Sequence, residues 1–154
     1  MDYLLIHVPK TGGTSLLVSG IPGGHHVRYS PNSQFKYLTI VRNPVDRTIS
    51  HFSEINEKNS NRIDLGFIKK YSNFQTNWLI DKLNVDSLDK VIEILKKEFI
   101  VLTTNNLTNK VKDLGFNIKK LNTTRREYKI TNSEMNLIKK YNELDFKLFN
   151  LFNY

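Results

Sequence analysis

Two short stretches of this chain carry the residue types that handle anions. The first, Val8-Pro9-Lys10-Thr11-Gly12-Gly13-Thr14-Ser15, leads from an apolar run through two glycines into the apolar Leu16-Leu17-Val18. A strand that delivers glycines to a helix N-terminus gathers backbone N–H groups around one point, where the helix dipole also favours negative charge. Glycine lets the main chain approach an anion closely, the hydroxyls of Thr11, Thr14 and Ser15 add donors, and Lys10 adds a point charge. This is not a Walker A loop, in which the lysine follows the last glycine; here Lys10 precedes both. The plain alternative is a Gly-Gly turn beside a solvated lysine.

The second stretch, Arg42-Asn43-Pro44-Val45-Asp46-Arg47-Thr48-Ile49-Ser50-His51-Phe52, sets Arg42 at the end of another apolar run. That is the edge at which open parallel sheets bind ligands. Arginine suits a phosphate because it offers two donors at once. Ser50 lies about two turns into the following helix, so it shares a site with Arg42 only if that helix runs past the ligand. Asp46 and Arg47 read as a local structural pair, and the plain reading of Arg42 is a surface charge beside a cap.

These stretches need a frame. Tyr3 to Val8, Tyr37 to Val41 and Phe99 to Leu102 are short continuous apolar runs, which suits buried strands. Gly20 to Asn32 reads as loop, with a short extended piece at His26-Val27-Arg28. Asn43 is a fitting N-cap with Pro44 at the first helical position, and apolar residues recur at helical spacing to about Asn59. Weaker helical stretches follow at Leu65–Tyr71 and Phe74–Leu83. Ser87 caps a clearer helix with Leu88, Val91, Ile92 and Leu95 on one face, and Gly115 stops another over Leu107–Leu114. Asn117–Leu121 reads as a short strand. Thr131 and Glu134 form a capping box for one final helix carrying Leu137, Ile138, Tyr141, Leu144, Leu148 and Phe152 on one side. Strands alternating with helices predict an α/β domain over residues 1–154, a central, mostly parallel sheet flanked by helices in three layers.

Composition narrows the chemistry. The chain has 154 residues and no cysteine, which excludes disulfides, thiolate metal sites and cysteine nucleophiles. Twenty-three Lys and Arg against 15 Asp and Glu give a net charge of +8, so polyanions are the expected partners. The runs Lys69-Lys70, Lys96-Lys97, Lys119-Lys120 and Lys139-Lys140 are scattered like solvated faces, not a nucleic-acid stripe. Tyr71, Phe74 and Trp78 could stack on a base, but their helical spacing favours core packing. No apolar run approaches the roughly 20 residues of a membrane span.

Taken together, Lys10 to Ser15 resembles the 5′-phosphosulfate loop of sulfotransferases, and Arg42-Asn43-Pro44 with Ser50 resembles their 3′-phosphate motif. The likeness is nearest to carbohydrate sulfotransferases of the heparan sulfate 2-O type and to compact bacterial or viral forms. Weaker echoes lie at Asn73-Phe74-Gln75-Thr76, Phe99 to Leu102, Lys120-Leu121-Asn122-Thr123 and Asn142 to Phe149. The resemblance implies a P-loop-like fold and 3′-phosphoadenosine 5′-phosphosulfate (PAPS) as donor, leaving 3′,5′-adenosine bisphosphate, with no metal. It implies that Thr11, Gly12, Gly13, Thr14 and Ser15 hold the 5′-phosphate while Lys10 stabilises the departing oxygen. Arg42 and Ser50 would bind the 3′-phosphate, with Arg125 a further candidate in a late loop.

The acceptor hydroxyl needs a base, and histidine is the natural choice near neutral pH. His25 and His26 lie between the two motifs, near where similar 2-O-sulfotransferases carry a His-x-His pair; the register here is Gly24-His25-His26, with His25 slightly favoured. Glu54 and Glu57 are alternative bases on a helix face that reads as solvated. His7 is expected under the loop, and His51 against helix neighbours. The expected activity is sulfuryl transfer to a hydroxyl, on a glycan, by a soluble cytoplasmic protein of a bacterium or a virus-infected cell. No nucleic acid or membrane partner is expected. Two rivals stand beside it: a non-catalytic module that binds nucleotide or polyanion, and a small nucleotide kinase. The kinase would need glycine before lysine and a metal-binding Asp after the second strand, where this chain has Arg42-Asn43.

Overall fold

The apolar runs become the strands of a parallel sheet, and the amphipathic stretches become the helices that cover it. The computed structural model describes residues 2–56, 62–118 and 128–154. In chain order the elements are β1 (Tyr3–Ile6), α1 (Gly13–Val18), β2 (Gly23–Gly24), β3 (Lys36–Val41), α2 (Pro44–Ile55) and α3 (Leu65–Lys70). They continue as α4 (Phe74–Leu83), α5 (Leu88–Glu98), β4 (Phe99–Thr103), α6 (Leu107–Asp113), α7 (Asn132–Tyr141) and α8 (Glu143–Phe152). The sheet has four strands in the order β2-β1-β3-β4, and each described pairing is parallel.

Successive strand residues point to opposite faces, and here each face has its own core. Leu5, Leu38, Ile40 and Leu102 pack with Leu16 of α1 and Val111 of α6. Ile6, Tyr37, Val41, Phe99 and Val101 pack with Leu79, Leu95 and Leu148 from α4, α5 and α8. Helices therefore cover both faces of the sheet. A third cluster joins Val45 and Phe52 of α2 to Ile68 of α3 and Ile138 of α7. Fully burying one such side chain contributes about 1.5–3 kcal/mol, which is why long apolar runs resist staying in solvent.

The strand order has a consequence for function. From β1 the chain winds outward to β2, then returns to the other side of β1 to lay down β3. The winding direction reverses between β1 and β3, and such a switch point opens a crevice at the carboxyl ends of the strands.

Three local expectations need correction. The extended piece after α1 is not His26-Val27-Arg28 but Gly23–Gly24, which pairs with Leu5 and Ile6. A Cβ on Gly23 would lie 2.2 Å from the Leu5 carbonyl oxygen, so only glycine can pair this closely there. Asn117 and Ile118 are not in a strand, and the rest of that expected strand lies outside the described residues. The final helix is two helices, α7 and α8, broken at Asn142. The Asn142 side chain donates from Nδ2 to the Ile138 carbonyl at 2.8 Å and accepts from the Asn73 N–H at 2.9 Å. In return, Asn73 Oδ1 accepts from the N–H groups of Leu144 and Asp145 at 3.1 and 3.2 Å. Asp145 in turn accepts from the N–H groups of Gln75 and Thr76. The starts of α4 and α8 thus cap each other, which satisfies donors that a helix start leaves open.

Candidate functional site

The loop between β1 and α1 sits at the switch point, and it is held by its carbonyl groups. Thr11 donates its hydroxyl proton to the Val8 carbonyl at 2.7 Å. Arg47 donates from Nε to the Pro9 carbonyl at 3.1 Å, and Arg42 donates from Nη1 to the Lys10 carbonyl at 3.3 Å. Three consecutive carbonyls are therefore tied down by side chains. Past them the chain turns through Gly12, whose φ of 101° is left-handed, into α1 without a side-chain cap. Among the described residues, no acceptor meets the backbone N–H groups of Gly12, Gly13 and Thr14. A loop with its carbonyls held and its N–H groups open offers donors of the kind that bind anions. Lys10 itself sits at φ 65°, an uncommon conformation for a residue with a Cβ.

Beneath the loop lies His7, almost fully buried. Its ring is so close that a Cβ on Gly13 would fall 2.2 Å from His7 Cδ2. Gly13 is therefore required by packing against the His7 ring. Burial, and the neighbouring His25, push the His7 imidazole down to about 4. His25 is exposed, with its ring 4.2 Å from that of His7 and 5.8 Å from that of Trp78. Desolvation, then Lys82 and His26, lower its pKa as well. A lowered pKa keeps the imidazole neutral at pH 7 and able to accept a proton. His26 is also exposed; a Cβ on Gly24 would meet its Nδ1 at 3.0 Å. Of the two loop histidines, His25 is the one packed, at a tilt, against the residue under the β1–α1 loop.

Arg42 is set in place through its main chain. Its N–H donates to Gln75 Oε1 and its carbonyl accepts from Gln75 Nε2, both at 2.8 Å. The buried Gln75 side chain thus imitates a further strand at the end of β3. Asp145 fixes the start of α4, and with it Gln75, through the two N–H groups it accepts and the Thr76 hydroxyl at 2.7 Å. Burial raises the Asp145 carboxyl above its ordinary range, against the pull of those hydrogen bonds and of Arg47. Helix α2 begins as its sequence suggests: Asn43 Oδ1 accepts from the N–H of Val45 at 2.9 Å and of Asp46 at 3.4 Å.

Helix α2 does run past the loop. Arg47, Ser50 and Glu54 fall on one side of it at helical spacing, with Arg47 on the Pro9 carbonyl and Glu54 paired to the Lys10 ammonium. Ser50, half-buried, lies between them. His51 packs against Tyr71, Phe67 and Phe74, and burial together with Arg47 and Lys10 lowers it to about 4, with Glu54 pulling the other way. Phe74 and Trp78 stack at 5.7 Å, with the Arg47 guanidinium 3.7 Å from the Phe74 centroid. Those rings serve the core, as their spacing suggests.

Arg47 is where the sequence misled. It is not paired with Asp46, which faces solvent; it is 2% exposed and turned toward the loop. Asp145 and Gln75, the other supports of the site, appeared in the sequence only as echoes. Lys69 of α3 and Lys140 of α7 are exposed, and their ammonium groups lie 5.6 and 5.5 Å from the Tyr141 ring centroid. Arg125 and Glu57 lie outside the described residues. Among the described residues, no helix is long and apolar enough to cross a membrane, and no group of three or more His, Asp or Glu is placed to hold a metal ion. Models of known protein families give no match to this chain, and no curated protein matches it.

Proposed function

We propose that the chain is a sulfotransferase with a P-loop-like anion site, moving the sulfuryl group of PAPS to an acceptor hydroxyl on a carbohydrate. One observation carries the reading. At the switch point, a loop with three pinned carbonyls and open N–H groups meets Lys10, and Arg42 from the next strand reaches across to it. The fit of an adenosine bisphosphate core rests on that donor set, since the backbone N–H groups with Lys10, and the Arg42 guanidinium beside them, offer donors for two phosphates. When bound, PAPS supplies a sulfuryl group attached to a phosphate that can leave.

The residues then divide the work. The N–H groups of Gly12, Gly13 and Thr14, with the hydroxyls of Thr14 and Ser15, hold the 5′-phosphate by fixed dipoles that need no rearrangement as charge develops. Lys10 offers its ammonium to the departing oxygen, which requires it to exchange or share its Glu54 partner. Arg42 and Ser50 take the 3′-phosphate. His25 accepts the proton of the acceptor hydroxyl at a ring nitrogen, the lowered pKa keeping that nitrogen unprotonated.

Calorimetry with 3′,5′-adenosine bisphosphate, 5′-AMP and ATP at two salt concentrations tests this. The bisphosphate should bind most tightly, and Arg42→Ala should remove the preference. Equal binding of the three, or weak binding abolished by salt, would overturn the reading. Tight bisphosphate binding without transfer of label from the donor to any offered glycan would mark a non-catalytic nucleotide-binding module instead.

A further inference from the structure

Among the described residues, the Arg47 guanidinium is a buried cation with an unmatched donor. A buried charge is costly unless it is paired and fully hydrogen-bonded. Arg47 is 2% exposed, donates from Nε to the Pro9 carbonyl, and lies over the Phe74 ring. Its Nη2 is buried, with no acceptor among the described residues. The carboxylate whose charge favours the cation, Asp145, is already accepting from Gln75 and Thr76. An incompletely satisfied buried cation is the kind of local inconsistency that natural chains retain at functional sites.

Its position says what it serves. Pro9 and Lys10 are consecutive, and their carbonyls are held by Arg47 and Arg42 respectively. Holding both carbonyls fixes the two peptide planes that join Pro9, Lys10 and Thr11, and with them the backbone from which Gly12 turns into α1. We infer that Arg47 is a positioning residue of the anion loop: through the Pro9 carbonyl it sets the turn that exposes the N–H groups of Gly12 to Thr14, and its buried charge strengthens phosphate binding without touching the ligand. This rests on the reading of the loop as a phosphate site, which the wild-type titration tests separately.

The experiment compares wild type, Arg47→Lys and Arg47→Met by thermal unfolding and by calorimetry with 3′,5′-adenosine bisphosphate. Arg47→Met should lower Tm, because the Pro9 carbonyl loses its donor and Asp145 its cation, and calorimetry well below each Tm compares folded proteins. Bisphosphate binding should nevertheless weaken about tenfold, and Arg47→Lys, which keeps the charge but not the planar Nε donor, should fall between. A purely structural arginine would behave otherwise: binding would fall only as far as folding does, or not at all, and either result overturns the inference. The loop is watched at the same time through the ¹⁵N amide resonances of Gly12 and Gly13, titrated with inorganic phosphate. Should wild type prefer no bisphosphate yet shift these resonances with phosphate, the nucleotide reading falls, and Arg47→Met must still abolish the shift. Absence of any shift in wild type would end both.

Discussion

Helices α1 and α2 start at the same edge of the sheet, after neighbouring strands, and they start in opposite ways. At α2 the chain closes its own end: Asn43 Oδ1 accepts two backbone N–H groups, and Pro44 at the first position has none to satisfy. At α1 the cap position is Gly12, with no side chain to offer, and the N–H groups stay open toward the crevice. What is fixed at α1 is the chain leading into it, with Thr11, Arg42 and Arg47 holding the carbonyls of Val8, Lys10 and Pro9 just before Gly12. One helix start is finished as structure, while its neighbour, with glycine at the cap position, is left open. The difference locates the site more sharply than the glycines do.

The largest expected effect on this contrast comes from Gly13→Ala. The new Cβ would collide with the His7 ring at 2.2 Å, and neither the loop nor the buried ring can move freely. Urea unfolding should show a loss of about 2–3 kcal/mol, the cost of overpacking, together with loss of bisphosphate binding. Adding His7→Ala should return part of both, and a single Gly13→Ala variant as stable as wild type would refute the close packing beneath α1.

Acid should act next, through the histidines on either side of the loop. His7 and His51 are both lowered from 6.5 to about 4 in the folded protein. Between those values the unfolded chain binds more protons than the folded one, so stability rises with pH in that window. It is fully present above about 6.5 and is lost as pH falls toward about 4. Urea midpoints measured across this range should decline in wild type and decline less in a His7→Gln, His51→Gln double variant. Parallel curves would mean the two rings are not held neutral by burial.

The smallest effect belongs to the closed start. Asn43→Ala should cost about 1 kcal/mol of stability, as a lost N-cap does, and should leave bisphosphate affinity within about twofold of wild type. A large loss of affinity would show that the two helix starts are coupled, not contrasting.

Much of the frame was legible in the chain. Tyr3–Ile6, Lys36–Val41 and Phe99–Thr103 are apolar runs too short for helices, and Asn43, Ser87 and Thr131 announce helix starts with side chains that accept from N–H groups nearby. The capping box at Thr131 and Glu134 forms as written, and Glu134 is further held by Tyr128 and Arg62. Burial would raise that carboxyl, but the hydrogen bonds from Tyr128, Thr131 and Arg62 bring it down to about 2. Strand β2 was missed because Gly-Gly has no strand propensity; it pairs only because glycine can lie against Leu5. The break at Asn142 was missed because the apolar stripe continues through it, and its reason is Asn73, far away in the chain.

What the sequence determined by itself is local: where strands and helices form, that the glycine loop lies between one of each, and that Arg42 ends a strand. Those features depend on side-chain periodicity and on caps that reach only a few residues. Tertiary structure alone decided that the two motifs meet at the reversal between β1 and β3. It also decided that Arg47 turns inward, and that Gln75 and Asp145 support Arg42 from α4 and α8. A buried polar group is placed by partners brought close through folding, and no spacing rule along the chain records who those partners will be.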